Sequence, residues 1–243
     1  MELFLDIGNT STKWCLEGGS SQYGKCENTY LPAAIVSILD ENDVSKIYLS
    51  NVGKSTILDS VALKATKKGV KINEAKLRGE CLGIKFKDGY ETQIGVDRWL
   101  AIAAAKNITQ NAFCVIDFGT TVTIDSVTEE GLHLGGLIFP GAHLIQKAII
   151  DNTQINLTLS APSLARYDAS LATSTRQALD LLPSKLLIPG IRDCVKNIID
   201  SQKNIVNVYV TGRIEKEVIP YLSRDAQFHK GLVLEGLKLY SKI

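Results

Sequence analysis

One eight-residue pattern occurs twice in the chain, and it restricts the possible folds more than any other feature of the sequence. Residues 3–10 read LFLDIGNT, and residues 114–121 read CVIDFGTT. Each copy is an apolar run that leads into Asp, an apolar residue, Gly, a polar residue and Thr. The copies lie nearly half of the 243-residue chain apart, far beyond the roughly 20 to 50 residues of a solenoid repeat. The pattern therefore predicts a duplicated domain with a cleft between two lobes.

The sequence around each copy predicts both strands and helices, which is typical of an α/β unit. In the first half, apolar runs and capping signals predict strands over 3–7, 12–16 and 46–50 and helices over 31–42, 55–68 and 96–107. In the second half they predict strands over 113–121, 122–131, 132–141 and 206–213 and helices over 141–151, 184–201 and 230–242. Pro189-Gly190 is predicted to interrupt the helix over 184–201. We expect two α/β lobes, 1–112 and 113–243.

The charge balance and the cysteine pattern limit the possible partners and the compartment. Lys and Arg number 27 against 26 Asp and Glu, a net charge of +1, so no electrostatic argument favours nucleic acid or an anionic membrane. The five cysteines are odd in number and form no CxxC pair, which is typical of reduced thiols in the cytosol. The sequence predicts no signal peptide and no apolar stretch of about 20 residues. We expect a soluble cytoplasmic protein whose partners include no nucleic acid and no membrane.

Both copies of the pattern contain a glycine turn of the kind that binds phosphate. Gly8 and Gly119 leave successive backbone amides uncovered, and such amides form an anion site. Lys13 adds a positive charge. Hydroxyl donors are supplied by Thr10, Ser11, Thr12, Thr120 and Thr121. Asp6 and Asp117 precede the turns, and a carboxylate beside phosphate implies a bound cation such as Mg²⁺.

Five motifs together resemble the type III pantothenate kinases, within the superfamily of acetate and sugar kinases, Hsc70 and actin. They are DIGNTSTK (6–13), GVDRW (95–99), DFGTTVTID (117–125), GGLIFPG (135–141) and TRQA (175–178). The resemblance spans most of the chain and implies an α/β fold of duplicated actin-like (ribonuclease H-like) domains with a central interlobe cleft. It also implies ATP-dependent phosphorylation of pantothenate, the first step towards coenzyme A. The enzyme would be a homodimer that requires Mg²⁺ and a monovalent cation, K⁺ or NH₄⁺.

The same resemblance implies roles for individual residues. Asp97 would be the catalytic base, Asp117 would bind the monovalent cation, and Thr120 would contact the ATP phosphates. The rest of the ATP site would consist of Asp6, Ile7, Gly8, Asn9, Thr10, Ser11, Thr12 and Lys13. Pantothenate would contact Tyr90, Gly95, Val96, Asp97, Arg98 and Thr175.

Several alternatives stay open at the level of sequence. Each glycine segment could be a plain hairpin whose turn uses Gly for its geometry, and neither a Walker motif nor GxGxxG occurs. Asp97 could be the N-cap of the helix that follows it. The chain could also be a non-catalytic nucleotide-binding regulator resembling the Bvg accessory factors, or a related sugar or acyl kinase. The intact Asp97-Arg98 pair favours an enzyme, because a binding module needs no base.

Overall fold

The chain forms two compact units. The computed structural model describes residues 1–77, 80–87, 89–159, 162–165, 171–202 and 205–243, apart from the side chains of Ser55 and Ile57. The first unit consists of Met1–Ala104 and Gly231–Ile243, and the second unit is Ala105–Lys230. This division differs from the predicted 1–112 and 113–243 in two ways: the boundary lies after Ala104, and the last segment returns to the first unit.

The first unit is built on a five-stranded mixed sheet. Its strands are β1 (Glu2–Ile7), β2 (Ser11–Glu17), β3 (Gln22–Glu27), β4 (Lys46–Asn51) and β5 (Lys71–Glu74). They lie in the order β3-β2-β1-β4-β5. β1 is antiparallel to β2 and parallel to β4, so the first copy of the repeated pattern is the central strand and its hairpin.

The second unit has a sheet of the same topology. Its strands are β6 (Ala112–Phe118), β7 (Thr121–Val127), β8 (His133–Pro140), β9 (Val206–Gly212) and β10 (Gln227–Phe228). They lie in the order β10-β9-β6-β7-β8, with β6 antiparallel to β7 and parallel to β9. The predicted duplication of an α/β domain is therefore confirmed.

Helices pack against both sheets. Those in the described residues are α1 (Leu31–Glu41), α2 (Ser55–Lys67), α3 (Val96–Ile108), α4 (Ala142–Asp151), α5 (Thr175–Ser201), α6 (Ile219–Leu222) and α7 (Leu232–Tyr240). None of the helices in the described part of the chain has the length and apolar character that crossing a bilayer requires.

The predicted interruption of α5 at Pro189-Gly190 was wrong. The helix runs from Thr175 to Ser201 with Pro183 and Pro189 inside it. An internal proline removes a backbone hydrogen bond, but side chains on either side of Pro189, such as Leu187 and Ile191, are buried in the core of the second unit. Tertiary packing of this kind supplies most of a helix's stability in a protein, so α5 continues through both prolines.

The central strands are buried on both faces, which explains their unbroken apolar runs. In β1, Leu3 and Leu5 pack with residues of α1 and α2 in the core of the first unit. Phe4 alternates to the opposite face, where its ring stacks on Tyr48 with the centroids 5.4 Å apart. A strand that packs on two layers holds the hairpin at its end in a fixed place.

The C-terminal helix belongs to the first unit because it packs on the first sheet. α7 lies against β1, β2 and β4. Lys238 Nζ is 2.7 Å from Glu17 Oε1 and 3.0 Å from Tyr23 Oη. Gly236 approaches α3 so closely that a Cβ atom there would overlap the carbonyl group of Leu100.

Replacing Gly236 by alanine should therefore destabilise the protein, although alanine is the better helix former by about 1 kcal/mol. We expect Gly236→Ala to lower the free energy of unfolding by about 1–3 kcal/mol, because the two helix backbones must separate. Urea unfolding followed by circular dichroism measures this change. Gly190→Ala in α5 is the matched control, since its Cβ would meet only Phe139 Cε1 at 3.8 Å. Equal stability of the two variants would show that the approach of α7 to α3 does not matter.

Candidate active site

The first turn, residues 8–11, connects β1 to β2. Gly8 N donates to Ser11 O at 3.2 Å, and Asn9 and Thr10 at the tip of the turn are exposed. An exposed tip that begins with glycine suits a phosphate-binding turn, because the amides of the turn must reach the ligand.

Asp6 and Lys13 face each other at the base of the first turn. They are register partners in β1 and β2, and Lys13 Nζ lies 3.9 Å from Asp6 Oδ2. The Asp6 side chain is 10% exposed and the Lys13 side chain 35%, so Lys13 balances a largely buried carboxylate. Thr12 is fully buried, and its hydroxyl donates to Asn28 Oδ1 at 2.9 Å. Thr12 therefore contributes to the site through Asn28.

The loop that follows β4 packs directly against the first turn. Val52 N donates to Ile7 O at 3.0 Å. Gly53 lies so close to the turn that a Cβ atom there would be 2.8 Å from Gly8 O. Gly53 N donates to Asn51 Oδ1 at 3.1 Å, which fixes the loop in this position.

Asp97 lies in the first turn of α3, which begins at Val96. Asp97 Oδ1 accepts a hydrogen bond from Arg98 N at 2.8 Å, and it lies 2.5 Å from the position that a Cβ of Gly95 would occupy. An N-cap residue precedes the helix and accepts from the amide two or three residues further on. Asp97 lies inside α3, after Val96, so its position is not that of the N-cap. The residue as a whole is half-buried.

The loop after β4 also connects the first turn to the motif that contains Asp97. A Cβ atom at Gly95 would be 3.9 Å from Val52 Cγ1, and Val52 donates to Ile7 at the base of the turn. The phosphate-binding candidate and the candidate base are therefore neighbours in the first unit.

Tyr90 lies just before this motif and begins the short 3₁₀ helix Tyr90–Thr92. Its carbonyl accepts from Ile94 N at 3.2 Å, and its ring centroid is 6.4 Å from that of Phe86. Since Ile94 directly precedes Gly95, the position of Tyr90 is tied to the motif.

The second turn, residues 119–121, repeats the hairpin in the second unit. Gly119 N donates to Thr121 O at 2.9 Å, and Thr120 is exposed. The segment after β9 supports the second turn, because Arg213 N donates to Phe118 O at 2.7 Å. The loop after β4 supports the first turn in the same way. The duplication thus extends to the segments that hold the two turns.

Asp117 occupies the end of β6, at the position equivalent to the aspartate of the first copy. Its register partners are Thr123 in β7 and Thr211 in β9. Gly212 has φ +91°, and a Cβ atom there would be 2.5 Å from Asp117 Oδ1. The glycine makes room beside a buried carboxylate oxygen. Carboxylate and hydroxyl oxygens are the ligands that hard cations prefer, so the residues present fit a cation site.

Thr175 is the first residue of α5, and it is exposed. The preceding Ser174 is the N-cap, since its Oγ accepts from Gln177 N at 3.2 Å. Thr175 is therefore not the cap of the helix. α5 is joined to α4 by a hydrogen bond from Gln146 Nε2 to Leu179 O at 3.1 Å.

The structure groups the predicted site residues by unit. The first unit brings together the first turn, Tyr90 and the motif of residues 95–98, while the second unit holds Asp117, Thr120 and Thr175. Sequence reasoning missed the residues that support the turns, namely Asn28, Val52, Gly53 and Gly212. A glycine at the end of a buried strand, or soon after it, was the available signal for Gly53 and Gly212, whereas the sequence around Asn28 shows only a residue that precedes a helix.

The fold is the duplicated actin-like α/β fold. A solved structure of a candidate 2-dehydro-3-deoxygalactonokinase from Sinorhizobium meliloti superposes with a TM-score of 0.55 at 13% identity, over 100% of this chain and 98% of that one. A reductive activator for corrinoid, iron–sulfur protein superposes with a TM-score of 0.51 at 9% identity, over 98% of this chain and 60% of that one. At these identities the likeness shows the fold alone.

The chain belongs to the type III pantothenate kinase family, whose sequence pattern matches residues 2–181. It is 26% identical to the type III pantothenate kinase of Nitrosococcus oceani, over 100% of this chain and 94% of that one. It is 29% identical to the type III pantothenate kinase of Acinetobacter baumannii, over 98% of this chain and 96% of that one. The relative from Pseudoalteromonas translucida is 32% identical, over 63% of this chain and 62% of its own length. The chain is therefore a kinase, a phosphotransferase that uses ATP.

Gly95→Ala should impair this kinase without unfolding it. The new Cβ would lie 2.5 Å from Asp97 Oδ1, so the carboxylate of this candidate base must move. Misplacing a group that takes part in a reaction by about 1 Å can cost on the order of 10²-fold in rate. We expect turnover in an ADP-release assay to fall at least about tenfold, with a melting temperature close to that of the wild type. Gly190→Ala controls for the general effect of the substitution. Wild-type turnover in Gly95→Ala would show that the position of Asp97 is not critical.

Proposed function

We propose that the protein transfers the γ-phosphoryl group of ATP to the primary hydroxyl of pantothenate, with Asp97 as the general base. The product would be 4'-phosphopantothenate, and the reaction would be the first step of coenzyme A biosynthesis. Family membership supports this proposal. The observation that carries the assignment of Asp97 is its place beside the loop that packs against the first turn.

Both glycine turns are proposed to bind the phosphates of ATP. Their amides are the donors, and Thr10, Ser11 and Thr120 add hydroxyl groups at or beside exposed positions. Lys13 adds positive charge, while Asp6 supplies a carboxylate for a Mg²⁺ ion, through water. The Mg²⁺ ion would neutralise part of the phosphate charge.

Asp97 is suited to remove the proton from the substrate hydroxyl. The hydrogen bond from Arg98 N fixes one carboxylate oxygen, which sets the orientation of the group before substrate binds. As the hydroxyl proton passes to Asp97, the hydroxyl oxygen forms its bond to the γ-phosphorus. The bond between that phosphorus and the β,γ-bridging oxygen breaks, and ADP leaves.

The remaining substrate contacts are proposals by family resemblance. The Arg98 side chain would pair with the carboxylate of pantothenate, because a guanidinium binds carboxylates with two parallel hydrogen bonds. Tyr90, Thr175 and the backbone of Gly95 and Val96 would complete the pantothenate site. The proposed assembly is a homodimer, and the proposed location is the cytoplasm.

The proposed monovalent cation at Asp117 has a physical rationale in the differences between the two copies. Asp6 has Lys13 as its register partner, whereas Asp117 has the uncharged Thr123 at the same place. A K⁺ or NH₄⁺ ion bound from solution would then supply beside the second turn the positive charge that Lys13 supplies beside the first. The ion would offset the repulsion between the Asp117 carboxylate and phosphate.

The test of the function is an assay of the purified protein with ATP, Mg²⁺ and pantothenate, with K⁺ present or replaced by choline. We expect pantothenate-dependent ADP release that requires K⁺. No release above background would contradict the proposed phosphorylation of pantothenate and favour a nucleotide-binding regulator. Release with a sugar or acetate in place of pantothenate would indicate a related kinase. Light scattering on the same sample should give twice the 26.5 kDa of one chain.

Asp97→Asn should separate catalysis from stability. An amide keeps the size of the carboxylate but makes no useful base, so we expect turnover to fall by about 10²-fold or more. Loss of an acidic group in the first turn of α3 costs only about 0.3–1 kcal/mol, which changes the melting temperature by a few degrees. Glu91→Gln, in the adjacent 3₁₀ helix, should keep its activity. Near-normal turnover in Asp97→Asn would remove Asp97 from the mechanism.

A further inference from the structure

We propose that Asn28 is a positioning residue for ATP, because its side chain holds the first turn in the shape that presents its amides to phosphate. This inference rests on the proposed function, in which the first turn binds the phosphates of ATP. Asn28 lies outside all five motifs of the family resemblance, between the end of β3 and the start of α1.

Three hydrogen bonds join Asn28 to the first hairpin. Asn28 Nδ2 donates to Gly8 O at 2.8 Å, Thr12 Oγ1 donates to Asn28 Oδ1 at 2.9 Å, and Asn28 N donates to Thr10 O at 3.2 Å. A carbonyl can only accept, so the amide group of Asn28 must turn its nitrogen towards Gly8. Its oxygen is then left to accept from Thr12.

These three bonds reach the start of the turn, its tip and the strand after it. The turn has one backbone bond of its own in the same region, from Gly8 N to Ser11 O at 3.2 Å. The carbonyl of Gly8 and the amide of Asn9 belong to one rigid peptide plane. Fixing this carbonyl therefore also fixes the direction of the Asn9 amide, which lies at the exposed tip.

The second unit shows what Asn28 adds, because the equivalent position there is a glycine. Gly141 N donates to Thr120 O at 3.1 Å, which is the counterpart of the bond from Asn28 N to Thr10 O. A Cβ atom at Gly141 would overlap the Thr120 carbonyl and lie 2.8 Å from Gly119 O. Since Gly141 is the N-cap of α4, the second turn is braced directly by the backbone at the start of a helix.

In the first unit the corresponding helix starts later, so a side chain has to bridge the gap. α1 begins at Leu31, and Leu31 N donates to Asn28 O at 3.3 Å. The backbone of Asn28 makes the same bond to its turn as the backbone of Gly141, and the side chain of Asn28 adds the bond to Gly8 O, which a glycine cannot make. Donors that are fixed before the ligand binds lose less free energy on binding than mobile ones.

The test compares ATP affinity with stability in Asn28→Ala and Asn28→Asp. Calorimetric titration gives the Kd of Mg·ATP without any acceptor, the kinase assay gives KM for each substrate, and thermal melting gives stability. We expect Asn28→Ala to raise Kd and KM for ATP about tenfold while KM for pantothenate changes less than about twofold. Asn28→Asp should bind ATP no better than Asn28→Ala, because a carboxylate would face the Gly8 carbonyl.

Asn42→Ala is the matched control for loss of an asparagine. Asn42 is also half-buried in the first unit, and its Nδ2 donates to a backbone carbonyl, Ile38 O, at 2.9 Å. We expect this variant to lose stability without a change in ATP affinity. If Asn28→Ala behaves in the same way, Asn28 is only structural and the proposal is wrong.

A double-mutant cycle tests whether Asn28 and Thr12 act together. Thr12→Val removes the hydroxyl that donates to Asn28, and its effect on ATP affinity should largely disappear in the Asn28→Ala background. Additive effects would mean that Thr12 contacts ATP by itself, which contradicts the proposal. If the wild type binds Mg·ATP but does not phosphorylate pantothenate, the proposed function fails while the binding data still decide the role of Asn28. If the wild type binds no Mg·ATP, both fail.

Discussion

The arrangement of the candidate site depends on two pairs of parallel strands at the centre of the two sheets. Because β1 and β4 run in the same direction, the loop after β4 ends beside the first turn, and the same holds for β9 and the second turn. As the chain leaves β4 and β9, it passes the carbonyl group of the residue before each turn. Val52 N donates to that carbonyl in the first unit, and Arg213 N does so in the second. Space beside the turns is so limited that both segments have a glycine next to the donor residue, Gly53 directly after Val52 and Gly212 directly before Arg213.

This constraint explains why so much of the fold could be predicted from sequence and why the rest could not. Central strands are buried on both faces and therefore have apolar runs, as in residues 3–7 and 113–118. Two of the edge strands, β3 and β10, have no such pattern, since most of β3 is exposed and β10 has two residues. The length of α5 was underestimated because a proline in the sequence predicts a local break in a helix. The burial of Leu187 and Ile191, which stabilises this helix, is a property of the tertiary structure.

The residues of the candidate site could be predicted where they belong to short sequence motifs. The turns and the motif around Asp97 have distinctive residue types at fixed spacing, and these were identified together with their family. Residues that act by contact with the backbone leave no such signal. The side chain of Asn28 bonds to residues 8 and 12, and only the pairing of β2 with β3 brings these positions together.

Comparison of the two units also indicates how a duplicated hairpin can acquire two different roles. Both copies keep the aspartate, the glycine and the hydroxyl residue on the neighbouring parallel strand, since Ser50 is the partner of Asp6 and Thr211 the partner of Asp117. The antiparallel partner differs, with Lys13 in the first copy and Thr123 in the second. A carboxylate next to phosphate must be balanced by positive charge. Lys13 supplies such a charge beside the first turn, and a monovalent cation is the proposed source of charge beside the second.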